Sequence, residues 1–190
     1  TGQTLPDTTE RVTTLEWAAD NKTLFLTTED AVTKRSDKVW RHVLFEPAFE
    51  SVYEEKDELY DVTIAKTRDK QYLFVLSESK DTSEVRYLRA RDHEGNFSVF
   101  LPRENKHRYY LDHREGLFYI RTNKTGKNFA VMTAPEADAA PQNWKTFIAQ
   151  QDGVRIEEID LFQDFAVSVE KTQALNRLRV HNFQTGAWTT

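Results

Sequence analysis

Thr14-Leu15-Glu16-Trp17, Asp20-Asn21-Lys22 and Thr23-Leu24-Phe25-Leu26 decide the fold. The first run alternates apolar and polar side chains, the middle is built of turn formers, and the third is a continuous apolar and β-branched run. That combination reads as a β-hairpin. The same device returns as Val62-Thr63-Ile64-Ala65, Arg68-Asp69-Lys70 and Gln71-Tyr72-Leu73-Phe74-Val75, then around Arg114-Glu115-Gly116, and again around Gln163-Asp164. Its turn residues Asn21, Asp69, Glu115 and Asp164 follow one another at 48, 46 and 49 residues. A third strand follows each hairpin, at Val39–Leu44, Glu84–Leu88, Phe129–Met132 and Leu178–His181, and a fourth at Ser51–Tyr53, Phe97–Phe100, Thr146–Ile148 and Ala187–Trp188. Four strands per repeat of roughly 40–50 residues mark a propeller blade, because one four-stranded sheet must stack on its neighbours to bury both faces.

The expected fold is therefore all-β: about four four-stranded antiparallel blades, with repeats near 10–57, 58–104, 105–152 and 153–190, forming a single propeller segment. Thr1-Gly2 and Thr185-Gly186 are the same dipeptide 184 residues apart, four times 46, so the chain is cut at one phase of the repeat. It begins Thr-Gly-Gln rather than Met, which reads as a piece of a longer chain. So few blades rarely close, and an open arc is expected, with one apolar blade face bare at each end. Trp17 and Phe25 in the first repeat, and Phe165, Val167 and Val169 in the last, are the expected exposed surface, so that the isolated chain either self-associates or closes into a strained four-bladed ring.

Bulk properties narrow the function. Aromatic residues at 12% favour a folded chain despite 30% charged residues. A net charge of -5 gives no basic field for nucleic acid or anionic membrane, and neither partner is expected. Cysteine is absent, which removes disulfides and thiolate metal sites and suits the cytoplasm. No apolar run reaches membrane-spanning length and no signal peptide is visible.

Val39-Trp40-Arg41-His42, Tyr53-Glu54-Glu55-Lys56-Asp57, Thr82-Ser83-Glu84-Val85-Arg86, Leu111-Asp112-His113, and Phe118–Asn123 with Gly126-Lys127-Asn128-Phe129 carry a family resemblance. They resemble, in order through nearly the whole chain, the propeller of the oligopeptidase B (protease II) group of the prolyl oligopeptidase family of serine peptidases. The resemblance implies a seven-bladed propeller capping an α/β-hydrolase domain of the same longer chain, which cleaves short peptides after Arg or Lys. Its nucleophile would sit on a Gly-x-Ser-x-Gly elbow. No Gly here is followed by Ser two residues later and Gly four later, so no catalytic residue of the family maps onto this sequence. The chain alone is expected to be inactive, with no cofactor, no metal and no assignable substrate-binding residue. A free-standing peptide- or glycan-binding module is the alternative.

Other candidates reduce to structure. A triad among His42, His93, His107, His113, His181 and a serine would need a positioned set that no spacing suggests. Asp112 and His113 are adjacent on a strand, point to opposite faces and should not share a metal ion. Glu54-Glu55-Lys56-Asp57 could attract basic peptides, but reads first as a solvated strand end or as ion pairs with Arg41 or Lys66. Lys124-Thr125-Gly126-Lys127 lacks the remaining residues of a phosphate loop and reads as a hairpin turn. Trp17, Phe25, Tyr72, Phe74, Phe118 and Tyr119 read as packing between blades rather than as a stacking platform. Ala134–Asn143 reads as an outer loop.

Overall fold

The computed structural model describes residue 2 and residues 5–190. Its sixteen strands form four antiparallel sheets, each made of four strands consecutive in sequence. The first sheet is β1 (Val12–Trp17), β2 (Thr23–Glu29), β3 (Ser36–Val43) and β4 (Phe49–Glu54); the second is β5 (Asp61–Lys66), β6 (Tyr72–Glu78), β7 (Ser83–Arg89) and β8 (Ser98–Val99). The third is β9 (Tyr109–Arg114), β10 (Leu117–Thr122), β11 (Ala130–Pro135) and β12 (Lys145–Ile148); the fourth is β13 (Val154–Leu161), β14 (Phe165–Thr172), β15 (Leu175–Asn182) and β16 (Trp188–Thr189). This is the blade organisation that the repeat implies.

The turns explain why the hairpins close where they do. Asp20 accepts the backbone N–H groups of Lys22 and Thr23, leaving Asn21 free to take φ 56°. Asparagine tolerates that left-handed conformation better than most residues. Between β9 and β10 only Glu115 and Gly116 remain, both at positive φ, the two-residue turn whose twist suits a right-handed hairpin. At Gly126 the reason for glycine is the backbone, with φ 157°, and a Cβ there would also lie 2.8 Å from the Gln150 amide oxygen.

Two compact units divide the chain, Thr1–Lys66 with Lys70–Lys80 and Glu84–Pro102, and Thr67–Asp69 with Asp81–Ser83 and Arg103–Thr190. In the first unit Phe25 and Val39 pack with Val62, Ile64, Leu73, Val75 and Leu88, and Phe97 meets Phe25 edge-on at 5.4 Å. In the second, Tyr119, Phe129, Val131 and Ile148 pack with Ile156, Leu161 and Ala166. Each such fully buried side chain contributes about 1.5–3 kcal/mol.

Register corrects one expectation. Trp17 pairs with Leu24 and Glu16 with Phe25, so Trp17 and Phe25 point to opposite faces of the first sheet. Phe25 is completely buried, whereas Trp17 is 36% exposed. The uncovered face of that sheet carries Leu15 and Trp17 instead. On the fourth sheet Phe165 lies exposed with Val167 and Val169 half-buried beside it, while the alternating Ala166, Ser168 and Glu170 are buried. Glu170 is held by Arg177 and Arg179, each at 2.8 Å.

Candidate functional site

A cluster of titratable groups gathers in the second unit at three hairpin turns. The 67–69 segment brings Arg68 and Asp69, β9 brings Asp112, His113 and Arg114, and the β13–β14 turn brings Phe162 and Gln163. Arg68, Asp69, His113, Arg114 and Phe162 line a notch of about 380 Å³.

His113 is buried because β9 points it under the turn, with its ring meeting the edge of Phe118 at 5.3 Å. Nδ1 lies 2.6 Å from Asp69 Oδ2 and Nε2 lies 3.1 Å from Glu136 Oε2. Asp69 is oriented in turn by the Thr67 hydroxyl, which donates at 2.6 Å, and Glu136 by its own N–H, which donates to the Gly116 carbonyl at 2.9 Å. Asp112 turns away from this pair and accepts the backbone N–H of His113 at 2.8 Å. Burial pushes its carboxyl up to about 6, and the neighbouring charge of Asp69 adds to the shift.

The cations of the notch are fixed by rings and carbonyls. Arg68 pairs with Asp160 at 3.2 Å and lies over Phe162 at 4.3 Å. Arg114 donates to the carbonyls of Phe162 and Gln163, pairs with Glu115 and covers Phe183 at 3.7 Å. Such stacking favours arginine, whose planar guanidinium is weakly hydrated. An Asp–His pair is what orients the base in a serine-type triad, but here the outer nitrogen of His113 meets a carboxylate where a nucleophile would stand.

The other histidines are scattered. His42 stacks on Phe49 at 4.0 Å, with Nε2 2.9 Å from Asp7 and Nδ1 3.1 Å from the Ala48 carbonyl. His93 lies 3.4 Å from Asp20. The ring of His107 meets the Thr122 hydroxyl at 2.7 Å, and burial lowers its pKa. Burial also lowers that of His181, which packs on Trp188 and Phe147. Among the described residues no group of three or more His, Asp or Glu forms a metal site.

The acidic run also departs from its expected partners. Arg41 pairs with Glu50 and donates to the carbonyls of His93 and Gly95, while Lys66 reaches Glu16 and the Trp17 carbonyl. Glu54 instead lies 3.8 Å from Lys38. Glu55 is not solvated: it is 5% exposed, accepts the Tyr53 hydroxyl at 2.7 Å and accepts the N–H of Asp57 at 3.0 Å. A separate concavity of about 580 Å³ in the first unit is lined by the carboxylates of Asp30, Asp37, Glu58 and Asp61 together with Lys34 and Arg35. Of the aromatics expected to pack, Phe25, Tyr72, Phe74, Phe118 and Tyr119 are buried, whereas Trp17 is 36% exposed and departs from that expectation.

Four-stranded blades with this order define a β-propeller segment. All residues from 1 to 190 match the family model described as "Prolyl oligopeptidase, N-terminal beta-propeller domain", and the chain belongs to that family. It is 39% identical over 184 residues to dipeptidyl aminopeptidase BI of Pseudoxanthomonas mexicana, covering 95% of this chain and 25% of that protein. It is 29% identical over 143 residues to protease 2 of Moraxella lacunata, covering 73% and 21%. Oligopeptidase B from Leishmania major superposes with a TM-score of 0.86 at 27% identity, over 98% of this chain and 27% of that one. The chain spans about a quarter of the length of these relatives.

Proposed function

We propose that this chain is the non-catalytic propeller section of a serine oligopeptidase that cleaves short peptides after Arg or Lys, the propeller restricting access by substrate size. The observation that carries the reading is the match of the whole chain to the N-terminal propeller domain of prolyl oligopeptidases. In this reading the partner is an α/β-hydrolase catalytic domain of the same longer chain, and the compartment is the cytoplasm. The likeness to protease 2 and to oligopeptidase B supports a peptidase of this group as the parent, and the basic specificity is what the resemblance to that group implies. Outside the longer protein, the bare faces around Leu15 and Trp17, and around Phe165 and Leu178, favour self-association.

The 39% identity to a dipeptidyl aminopeptidase favours a second reading of the substrate, in which the longer protein releases dipeptides from free amino termini. Arg-containing reporter peptides of increasing length, each with a free or blocked amino terminus, distinguish the two. The proposal expects no turnover by the 190-residue chain, and cleavage by the longer protein of short peptides with either terminus but not of folded proteins. Cleavage confined to free amino termini supports the second reading. Inhibitor-sensitive turnover by the chain alone, or equal cleavage of folded proteins, defeats the proposal.

A further inference from the structure

The two carboxylates on His113 come from different elements, Asp69 from the 67–69 turn and Glu136 from the residue after β11. An ionised carboxylate only accepts hydrogen bonds, so both contacts are made at once only by a ring with a proton on each nitrogen. When the ring gives up one proton, a nitrogen lone pair faces a carboxylate. Protonation of either acid instead removes the charge from that arm of the cluster. We propose that Asp69, His113 and Glu136 form a proton-operated staple, which pins the 67–69 turn and the loop after β11 to β9 only over an intermediate window of pH.

The groups around the ring favour that arrangement. Arg68 on the 67–69 turn is offset by Asp160 of β13, and Arg114 of β9 is offset by Glu115. Asp69, Glu136 and Asp112 then surround His113 with negative charge, while β10 contributes the edge of Phe118. Asp112, held at about 6, loses its charge early as the pH falls. Arg68 and Asp69 form one wall of the notch, so its shape follows the state of the staple.

The chain has no cysteine, so a nitroxide on Lys70→Cys reports on this turn alone. Its spectrum should be immobilised at intermediate pH and should lose the immobilised component on both the acid and the alkaline side. A second label at Thr172→Cys on β14 should stay unchanged over the same range, which separates release of the turn from unfolding. Glu136→Gln is the diagnostic variant, because the amide donates to a neutral ring as readily as it accepts from a protonated one. It should abolish the alkaline loss and keep the acid loss. His113→Gln should remove the pH dependence altogether. A label at position 70 that is indifferent to pH, or a Glu136→Gln profile that superposes on the parent, overturns the proposal.

Discussion

Replacing Asp112 with Asn should stabilise the protein at neutral pH and leave it nearly unchanged in acid. The carboxyl is lifted from 3.8 to about 6, first by burial and then by Asp69. A raised folded pKa means that the native state holds its proton more tightly than the unfolded chain. The penalty is therefore absent below the unfolded pKa, grows between 3.8 and about 6, and is constant above. A separation of roughly two pH units corresponds to about 3 kcal/mol at pH 7, shrinking to about 0.5 kcal/mol at pH 4. Asn keeps the oxygen that accepts the His113 N–H and never ionises, so it escapes this cost. Urea unfolding of parent and variant at both pH values measures the difference. An Asp112→Asn variant no more stable than the parent at pH 7, or one equally stabilised at both, would show that the Asp112 carboxyl carries no such penalty.

Phe25→Ala should cost about 3–5 kcal/mol, the range for a buried aromatic, whereas Trp17→Ala on the opposite face should cost far less; chemical denaturation of the pair checks the face assignment. Gly116→Ala has open space around it, so its cost of about 1–2 kcal/mol should be wholly conformational, and a fall in melting temperature without change in secondary structure would show it. Glu170→Ala removes the carboxylate between Arg177 and Arg179, and because both arginines keep access to water it should cost only about 1–2 kcal/mol, with Glu170→Gln losing less, both read from urea midpoints.

The period of the turns at Asn21, Asp69, Glu115 and Asp164 made the four-blade order legible, because side-chain alternation and turn chemistry are local. Phe25 was misplaced because the face of a strand depends on register, and residues 18–22 set that register through Asp20 rather than through any apolar pattern. In the Glu54–Asp57 run, Glu54, Lys56 and Asp57 are exposed as their charge implies, but Glu55 is buried against Tyr53, whose hydroxyl it accepts and which also meets the Ser77 hydroxyl at 3.0 Å. His113 was visible as a residue, but its partners were not. Asp69 is 44 residues away and Glu136 is 23, and only the packing of separate turns brings them together.

The position of the nucleophile decides whether this chain is non-catalytic. Labelling the longer protein with a serine-directed fluorophosphonate, followed by peptide mass spectrometry, places it directly. A single labelled serine outside these 190 residues, and no label on the isolated chain, is the expected result. A modified serine within the chain, such as Ser36, Ser83 or Ser168, would contradict it.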